Sequence, residues 1–117
     1  MKGDNIADRL EALGADIVAL VRELPQDRVG KHVADQLLRA GTSGGSNYEE
    51  ARSAESKRDF IHKLSIAAKE MRESRYWLGL VSRTEDDLRA RALELREEAT
   101  ELVAILMKSR ATARASR

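Results

Sequence analysis

Four segments of the chain carry a core-type residue at alternating intervals of three and four positions. This spacing places side chains on one face of an α-helix, whereas a strand would require an interval of two. The four sets are Ile6, Leu10, Leu13, Ile17, Leu20 and Leu24; Val33, Leu37, Ala40, Gly44, Asn47 and Ala51; Phe60, Leu64, Ala67, Met71, Ser74, Leu78 and Val81; and Leu88, Ala92, Leu95, Ala99, Leu102 and Leu106. Because short connections between long helices favour antiparallel neighbours, the pattern predicts an all-α fold, an antiparallel up-down-up-down four-helix bundle over residues 1–107.

Capping and breaking residues bound the predicted helices. Leu24 precedes Pro25, and the residue before a proline disfavours helix, so the first helix should end there. The candidate helix starts are Asp4 or Asn5, a position near Gly30, Ser53 or Ser56 (the latter with Asp59), and Thr84 with Asp87. A Ser or Thr with an acid three positions later is the capping-box pattern. The segment 108–117 is basic and rich in small residues, and we expect it to form a disordered tail.

The second helix has glycines where the repeat requires bulk. Gly44 and Asn47 occupy core-facing positions, and Gly41 and Gly45 lie beside them. A glycine inside a helix costs about 1 kcal/mol relative to alanine, so each needs a compensating reason. One interpretation is a helix that is bent or frayed here. The interpretation that we favour is the close approach of another helix, from the same bundle or from a neighbouring subunit.

Several large apolar residues fall outside the four core-facing sets. The repeat directs Val18, Leu38, Tyr76, Leu93 and Met107 away from the core and places Trp77 on its flank. Single exposed apolar residues are ordinary, but this number on one small protein favours an oligomer surface. The candidate interface residues are Leu38, Gly44, Asn47, Glu50, Tyr76 and Trp77.

Composition excludes several classes of protein. The chain has no cysteine, so it forms neither a disulfide framework nor a thiolate metal site. Its longest apolar runs, such as Ile17–Val21, fall far short of the roughly 20 residues that cross a bilayer. Acids stand near the N-terminus, where a secretory signal would be apolar. We therefore expect a cytoplasmic protein with no membrane partner.

No arrangement of side chains indicates catalysis. A di-metal centre in a helical bundle needs paired Glu-x-x-His motifs, and the chain offers only the related Asp59-x-x-His62. His32 has no carboxylate at that spacing, and no nucleophile with a base or phosphate-binding loop stands out. Glu49 and Glu50 fit solvated or interface acids better than catalytic ones. We expect no enzymatic activity, no metal and no cofactor.

Positive charge is concentrated in two zones, although the net charge is only +1. Basic residues outnumber acidic ones in residues 57–83, and residues 108–117 contain no acid. A solvated, salt-bridged helix face would explain much of this. Repeated around an oligomer, the same residues would form an extended basic surface that attracts phosphate backbones. The candidate nucleic-acid contacts are Lys57, Arg58, Lys63, Lys69, Arg72, Arg75, Lys108, Arg110 and Arg114.

The stretch from Gln36 to Val81 resembles the core of the bacterial 23S rRNA intervening-sequence proteins. The residues in register are Gln36, Leu37, Arg39, Ser43, Asn47, Tyr48, Glu50, Ala51, Ala54, Glu55, Ser56, Asp59, Phe60, Lys63, Ile66, Lys69, Glu70, Tyr76, Trp77 and Leu78. The last helix, with Leu95, Glu98, Ala99, Glu101, Leu102 and Ile105, resembles the family as well, so the similarity covers about residues 6–107.

The resemblance implies an antiparallel four-helix bundle that assembles as a ring-shaped homopentamer, with no attached enzymatic activity. A related accessory protein of diversity-generating retroelements binds nucleic acid and a reverse transcriptase through a basic surface. The chain departs from the family pattern at Gly44, where an apolar residue is usual, and at Glu49, where arginine is frequent. The second departure removes a positive charge.

These observations lead to a hypothesis with one rival. The chain is expected to be a non-enzymatic, homopentameric bundle that contacts RNA or DNA through its basic residues, with a reverse transcriptase as a possible protein partner. The alternative is an interaction or assembly scaffold that has no nucleic-acid partner. A metal-dependent enzyme is the weakest of the hypotheses.

Overall fold

The computed structural model describes residues 2–116; Met1 and Arg117, which belonged to the predicted bundle and tail, lie outside the described residues. Within this range the chain forms four α-helices and no strand. The helices are α1 (Asp4–Val21), α2 (Arg28–Arg52), α3 (Lys57–Thr84) and α4 (Arg89–Ala115), and a 3-10 turn (Asp86–Leu88) joins the last two. The all-α prediction is confirmed.

The helices form an elongated body of 50 × 21 × 21 Å. Contacts between α1 and α2, α2 and α3, α3 and α4, and α1 and α4 close the four helices around a common core. Side-chain pairs show that neighbours are antiparallel. Arg9 of α1 pairs with Glu98 of α4, and Glu23, just after α1, pairs with Arg91 near the start of α4. Arg39 of α2 pairs with Glu70 of α3, and Glu50 of α2 pairs with Lys63 of α3.

The predicted core faces form the core, with one shift of register. The largest fully buried side chains include Leu13, Ile17, Leu37, Met71 and Leu102. In α2 the buried position after Gly44 is Tyr48, whereas the predicted Asn47 is half-buried and donates from Nδ2 to the Ser43 carbonyl at 2.9 Å. An interval of three or four residues fits a helix of 3.6 residues per turn equally well, so the alternation alone did not select Asn47 over Tyr48.

Outward positions were predicted with mixed success. The side chains of Leu38, Tyr76 and Leu93 are exposed as expected, and Val29, which the repeat did not single out, is 70% exposed. Met107 packs against the core instead of pointing away from it, and Val18 is half-buried.

The helix starts follow side-chain capping at two positions. Ser56 caps α3 as predicted, accepting a hydrogen bond from the Asp59 amide at 3.0 Å. The start of α2 lies at Arg28 because Asp27, which was not predicted, accepts from the Gly30 amide at 2.8 Å. The predicted Thr84 cap is wrong, since α3 continues through Thr84 and Leu88 precedes α4. Gly3, rather than Asp4 or Asn5, stands before α1, with a left-handed φ of 91°.

The C-terminal segment continues α4 as a helix. Residues 108–115 extend it without a break to Ala115, where composition predicted a disordered tail. The segment lacks glycine and proline, and its alanine and arginine residues are strong helix formers. Lys57 at the start of α3 donates a hydrogen bond to the Ser116 carbonyl, so this end also contacts the body of the bundle.

Glycines allow α1 and α2 to lie close together. A Cβ atom on Gly14 would lie 3.5 Å from the Gly41 carbonyl oxygen, and one on Gly41 would lie 2.6 Å from Ile17 Cδ1. Gly44 instead faces the end of the Met71 side chain on α3. The predicted close approach therefore occurs inside the protomer, with α1 and with a side chain of α3. None of the helices described is long and apolar enough to cross a membrane.

We expect Gly41→Ala to lower the free energy of unfolding by about 1–2 kcal/mol, because the new methyl group meets the branched side chain of Ile17, which has little freedom to move. Gly44→Ala is the matched control. The flexible Met71 side chain can move away, and the gain in helix propensity of about 1 kcal/mol offsets that cost. Urea unfolding followed by circular dichroism measures both; equal losses would contradict the assignment of Gly41 as the contact point.

Candidate nucleic-acid interface

The face of α3 opposite the core carries a continuous basic stripe. At intervals of four and three residues it presents Arg58, His62, Ser65, Lys69, Arg72, Tyr76, Gly79 and Arg83. None of these positions is Asp or Glu, and the basic ones are all exposed. We call this set the α3 stripe. It runs about 38 Å from Arg58 to Arg83, given the rise of 1.5 Å per residue.

A second acid-free stripe lies along α4. It comprises Arg89, Leu93, Arg96, Thr100, Val103, Met107, Arg110 and Arg114, again at intervals of four and three. Val103 and Met107 pack against the core, so the basic surface of this stripe lies at its two ends. The two stripes meet at one end of the bundle, where a Cβ on Gly79 would lie 3.4 Å from Arg96 Nε. At the other end Lys57 contacts the Ser116 carbonyl. The stripes therefore lie on neighbouring helices, and a concave pocket opens between them at the end of α3. We call the surface between the two stripes the α3–α4 groove.

Two of the three carboxylates of α3 face the other way, whereas the third, Asp59, lies beside Arg58 and His62 at the start of the helix. Glu70 is only 9% exposed and binds Arg39 Nη1 of α2 at 3.0 Å. Glu73 pairs with the same guanidinium and accepts a hydrogen bond from the Trp77 indole at 3.1 Å. Because these acids are held against α2, their negative charge does not neutralise the α3 stripe.

Two guanidinium groups beside the groove have buried N–H donors. Arg75 Nε and Arg110 Nε are inaccessible to solvent and make no hydrogen bond within the described part of the chain. A buried donor without an acceptor typically costs about 1–3 kcal/mol. These two Nε groups are unsatisfied donors in the described structure, but their burial keeps them from a ligand on the surface.

An aromatic row lies on the opposite edge of α3 from the groove. The Tyr76 and Trp77 rings meet edge to face with centroids 5.0 Å apart, and Trp77 meets His32 of α2 in the same way at 5.8 Å. Tyr76 is 62% exposed, and Val29 lies one helical turn before His32. We call Val29, His32, Tyr76 and Trp77 the aromatic row. Through Trp77, Tyr76 leans toward α2, although its backbone belongs to the α3 stripe.

Comparison with known proteins places the chain in a family. A model of the 23S rRNA-intervening sequence protein family matches residues 5–108. This chain belongs to the 23S rRNA-intervening sequence protein family. A crystal structure of a protein of unknown function, from the S23 ribosomal protein family of Bacteroides thetaiotaomicron, is similar with a TM-score of 0.85. The two are 36% identical, and the match covers 95% of this chain and 99% of the other. No curated protein matches the chain.

The predicted nucleic-acid contacts of this family member fall into separate groups. Arg58, Lys69 and Arg72 lie together on the α3 stripe, and Arg110 and Arg114 lie on the α4 stripe. Lys63 lies outside them, because it faces α2 and pairs with Glu50 at 3.1 Å. Lys108 is exposed but lies off the α4 stripe, Lys57 is bound to Ser116, and Arg75 is half-buried beside the groove.

Sequence reasoning missed Arg83, Arg89 and Arg96. They line the end of the α3–α4 groove together with Leu93. The segment that contains Arg89 and Arg96 has a negative net charge, so counting charge by segment did not single out these two arginines. The three-and-four spacing that predicted the core would have found them if it had been applied to the outer faces.

The residues that were predicted to form an oligomer interface also lie in different environments. Gly44 is buried against Met71 and offers no surface to another subunit. Asn47 bonds to its own helix, and Glu50 forms an ion pair with Lys63. Leu38 is 38% exposed, and Tyr76 and Trp77 belong to the aromatic row.

Two electrostatic features lie outside these surfaces. Arg9 donates two hydrogen bonds to Glu98, at 2.6 and 2.9 Å, and this contact raises the pKa of the guanidinium, so the pair holds α1 to α4 in its charged form. Burial raises the pKa of the Tyr48 hydroxyl. Across the residues that the structure describes, no cluster of three or more His, Asp or Glu side chains is arranged to hold a metal ion.

We expect Arg39→Met to lower the free energy of unfolding by about 2 kcal/mol, because it leaves the buried Glu70 carboxylate without its cation. The loss stays below that of a fully buried pair, since Arg39 is itself half-exposed. Chemical denaturation measures the effect, and Arg72→Met on the α3 stripe is the control that should change stability little. In a double-mutant cycle with Glu70→Gln, strictly additive losses would contradict the coupling.

Proposed function

We propose that this member of the family is a non-enzymatic homo-oligomer that binds RNA or DNA by phosphate contacts along the α3–α4 groove. The observation that carries the proposal is the pairing of two acid-free basic stripes on neighbouring helices. A net charge of +1 would not attract a polyanion by itself, but charge segregated onto one face does. No catalytic arrangement enters the proposal.

The chemistry of the groove suits a phosphate backbone. Most of its basic groups are arginines, whose planar guanidinium donates two parallel hydrogen bonds to phosphate oxygens. Rigid helices hold these groups along about 38 Å, long enough to follow several phosphates. Contacts of this kind position a nucleic acid without reading its bases, so we expect weak sequence preference.

Assembly supplies the second part of the proposal. The exposed aromatic row offers rigid apolar surface of the kind enriched in protein interfaces. Apart from Tyr76, which also belongs to the α3 stripe, the row lies on the α2 edge of α3, so its burial in an interface leaves the α4 side of the groove open. A homopentamer, the assembly that the sequence resemblance implies, would repeat the groove five times around a ring and multiply its weak phosphate contacts.

We expect Lys69→Gln/Arg72→Gln to weaken binding to a fluorescent single-stranded RNA and to reduce the log–log salt slope by about 1.4, since each phosphate contact to a single strand contributes about 0.7. Fluorescence anisotropy at several salt concentrations measures both quantities. Arg22→Gln/Lys31→Gln removes the same charge from exposed positions of the first two helices and should leave the slope unchanged.

The proposal fails if the unaltered protein retains no nucleic acid at low salt while its assembly is intact. That result would favour the rival, an assembly or interaction scaffold without a nucleic-acid partner, which the exposed aromatic row supports independently. Equal salt slopes for the two double variants would place the contacts outside the groove.

We expect Tyr76→Glu to dissociate the oligomer without loss of helicity, because a carboxylate in an aromatic interface is desolvated without a partner. Light scattering on a sizing column gives the mass, and circular dichroism gives the helicity. Leu93→Glu is the matched control: it makes the same kind of change at an exposed residue of the α3–α4 groove and should leave the mass unchanged. A monomeric unaltered protein at micromolar concentration would overturn the assembly proposal.

A further inference from the structure

The α3–α4 groove ends in a pocket rich in arginine. Gly79, Ser82, Arg83, Arg89, Leu93 and Arg96 line it, where α3 turns into α4. Three guanidinium groups meet there, and Asp86 is the carboxylate that contacts one of them. The Asp86 side chain is 85% exposed, so water screens its charge strongly. The pocket therefore retains a positive charge.

Arg89 is held in place by the end of α3. Its Nε donates to the Ser82 carbonyl at 3.0 Å, and its Nη2 donates to Asp86 Oδ1 at 2.6 Å. The remaining nitrogen, Nη1, has no acceptor in the described structure. A guanidinium fixed in this way loses little conformational entropy when a ligand binds to its free edge.

Arg96 lies against the backbone of α3 at Gly79. A Cβ atom at residue 79 would lie 3.4 Å from Arg96 Nε and 3.7 Å from its Cδ and Cζ atoms. Gly79 stands inside a regular helix, where glycine costs about 1 kcal/mol relative to alanine. Because residue 79 has no side chain, the Arg96 side chain lies directly against this part of α3.

These groups suit a phosphomonoester. A terminal phosphate carries about −1.5 to −2 charges and three acceptor oxygens, whereas a phosphodiester inside a strand carries one charge. Three guanidinium groups that line one pocket match the first better than the second. The pocket also lies beside the α3–α4 connection, at the end of both stripes, where a strand that followed them would end.

We propose that Arg83, Arg89 and Arg96 form a binding site for a phosphomonoester and that this site holds the terminal phosphate of a nucleic-acid strand bound in the α3–α4 groove. The part that concerns the strand rests on the proposed function, whereas the phosphate site itself does not. Gly79 is a positioning residue that acts through Arg96.

Matched RNA oligonucleotides test the proposal directly. A single-stranded RNA with a 5′-phosphate should bind about 5-fold more tightly than the same RNA with a 5′-hydroxyl, the order expected for one added charge contact at an exposed site. A 3′-phosphate on the same RNA decides which strand end enters the pocket. Arg83→Gln/Arg96→Gln should abolish the preference, and Arg22→Gln/Lys31→Gln should retain it. An unaltered protein with no preference for either terminal phosphate would overturn the assignment to a strand end.

Gly79 provides a second pair of variants. Gly79→Glu sets a carboxylate beside Arg96 and should remove the preference for a terminal phosphate. Gly79→Ala asks the flexible Arg96 side chain to shift by only a few tenths of an ångström and should retain most of it. Retained preference in Gly79→Glu with a folded protein would contradict the role of Arg96.

A free nucleotide separates this inference from the proposed function. We expect adenosine monophosphate, and not adenosine, to shift the NMR resonances of Arg89 and Arg96 Nε. If the monophosphate shifts them while no RNA binds, the pocket is a small-molecule phosphate site and the proposed function fails alone. If RNA binds without end preference and the monophosphate causes no shift, the pocket proposal fails and the proposed function stands.

Discussion

Glu70 is a carboxylate buried between two helices, and its need for a cation fixes how α2 and α3 meet. Arg39 supplies that cation and also binds Glu73, which in turn accepts the Trp77 indole hydrogen bond. A buried charge without a partner is far more costly than an exposed one. The pairing therefore restricts the rotation of α3 about its own axis, and with it the direction of every other side chain on that helix.

With this pairing in place, α3 has three faces that differ in their surroundings. One face is apolar and fills the core, and a second holds Glu70 and Glu73 against α2. The third is the basic α3 stripe, which stays positive because the acids are engaged elsewhere. A chain with almost balanced charge thus presents a basic face through the way its helices are packed, and the aromatic row lies at the boundary between the acidic edge and the stripe.

Much of the fold could be predicted from the sequence, because the spacing of apolar residues along a helix indicates which side chains lie in the core. Leu37, Met71 and Leu102 were placed correctly by spacing alone. The spacing did not distinguish Asn47 from Tyr48, since a 3.6-residue turn tolerates either interval. The helical C-terminus was missed because basic, small residues suit both a disordered tail and a helix, and the helix propensity of alanine and arginine was not weighed.

The candidate site was less predictable, since charge counted along the sequence ignores direction. Arg89 and Arg96 belong to a stretch with many acids, yet the acids within α4 occupy its other faces, and of the acids before α4 only Asp86 is seen to bind Arg89. Lys63 counted as basic surface in the sequence but is neutralised by Glu50 across the α2–α3 contact. Partners on neighbouring helices, such as Arg39 for Glu70, are set by tertiary packing and leave no local pattern in the chain.

The helical extension of α4 would lower the loss of backbone entropy when this segment binds a ligand. Residues 108–115 form a rod of about 12 Å, at the helical rise of 1.5 Å per residue, and its end contacts the start of α3. A disordered arm carrying Arg110 and Arg114 would lose backbone freedom when it bound, at about 1–2 kcal/mol for each ordered residue. In the helix this backbone entropy has already been lost during folding. Arg110 and Arg114 would therefore contact a ligand at a fixed spacing and without that further loss of entropy.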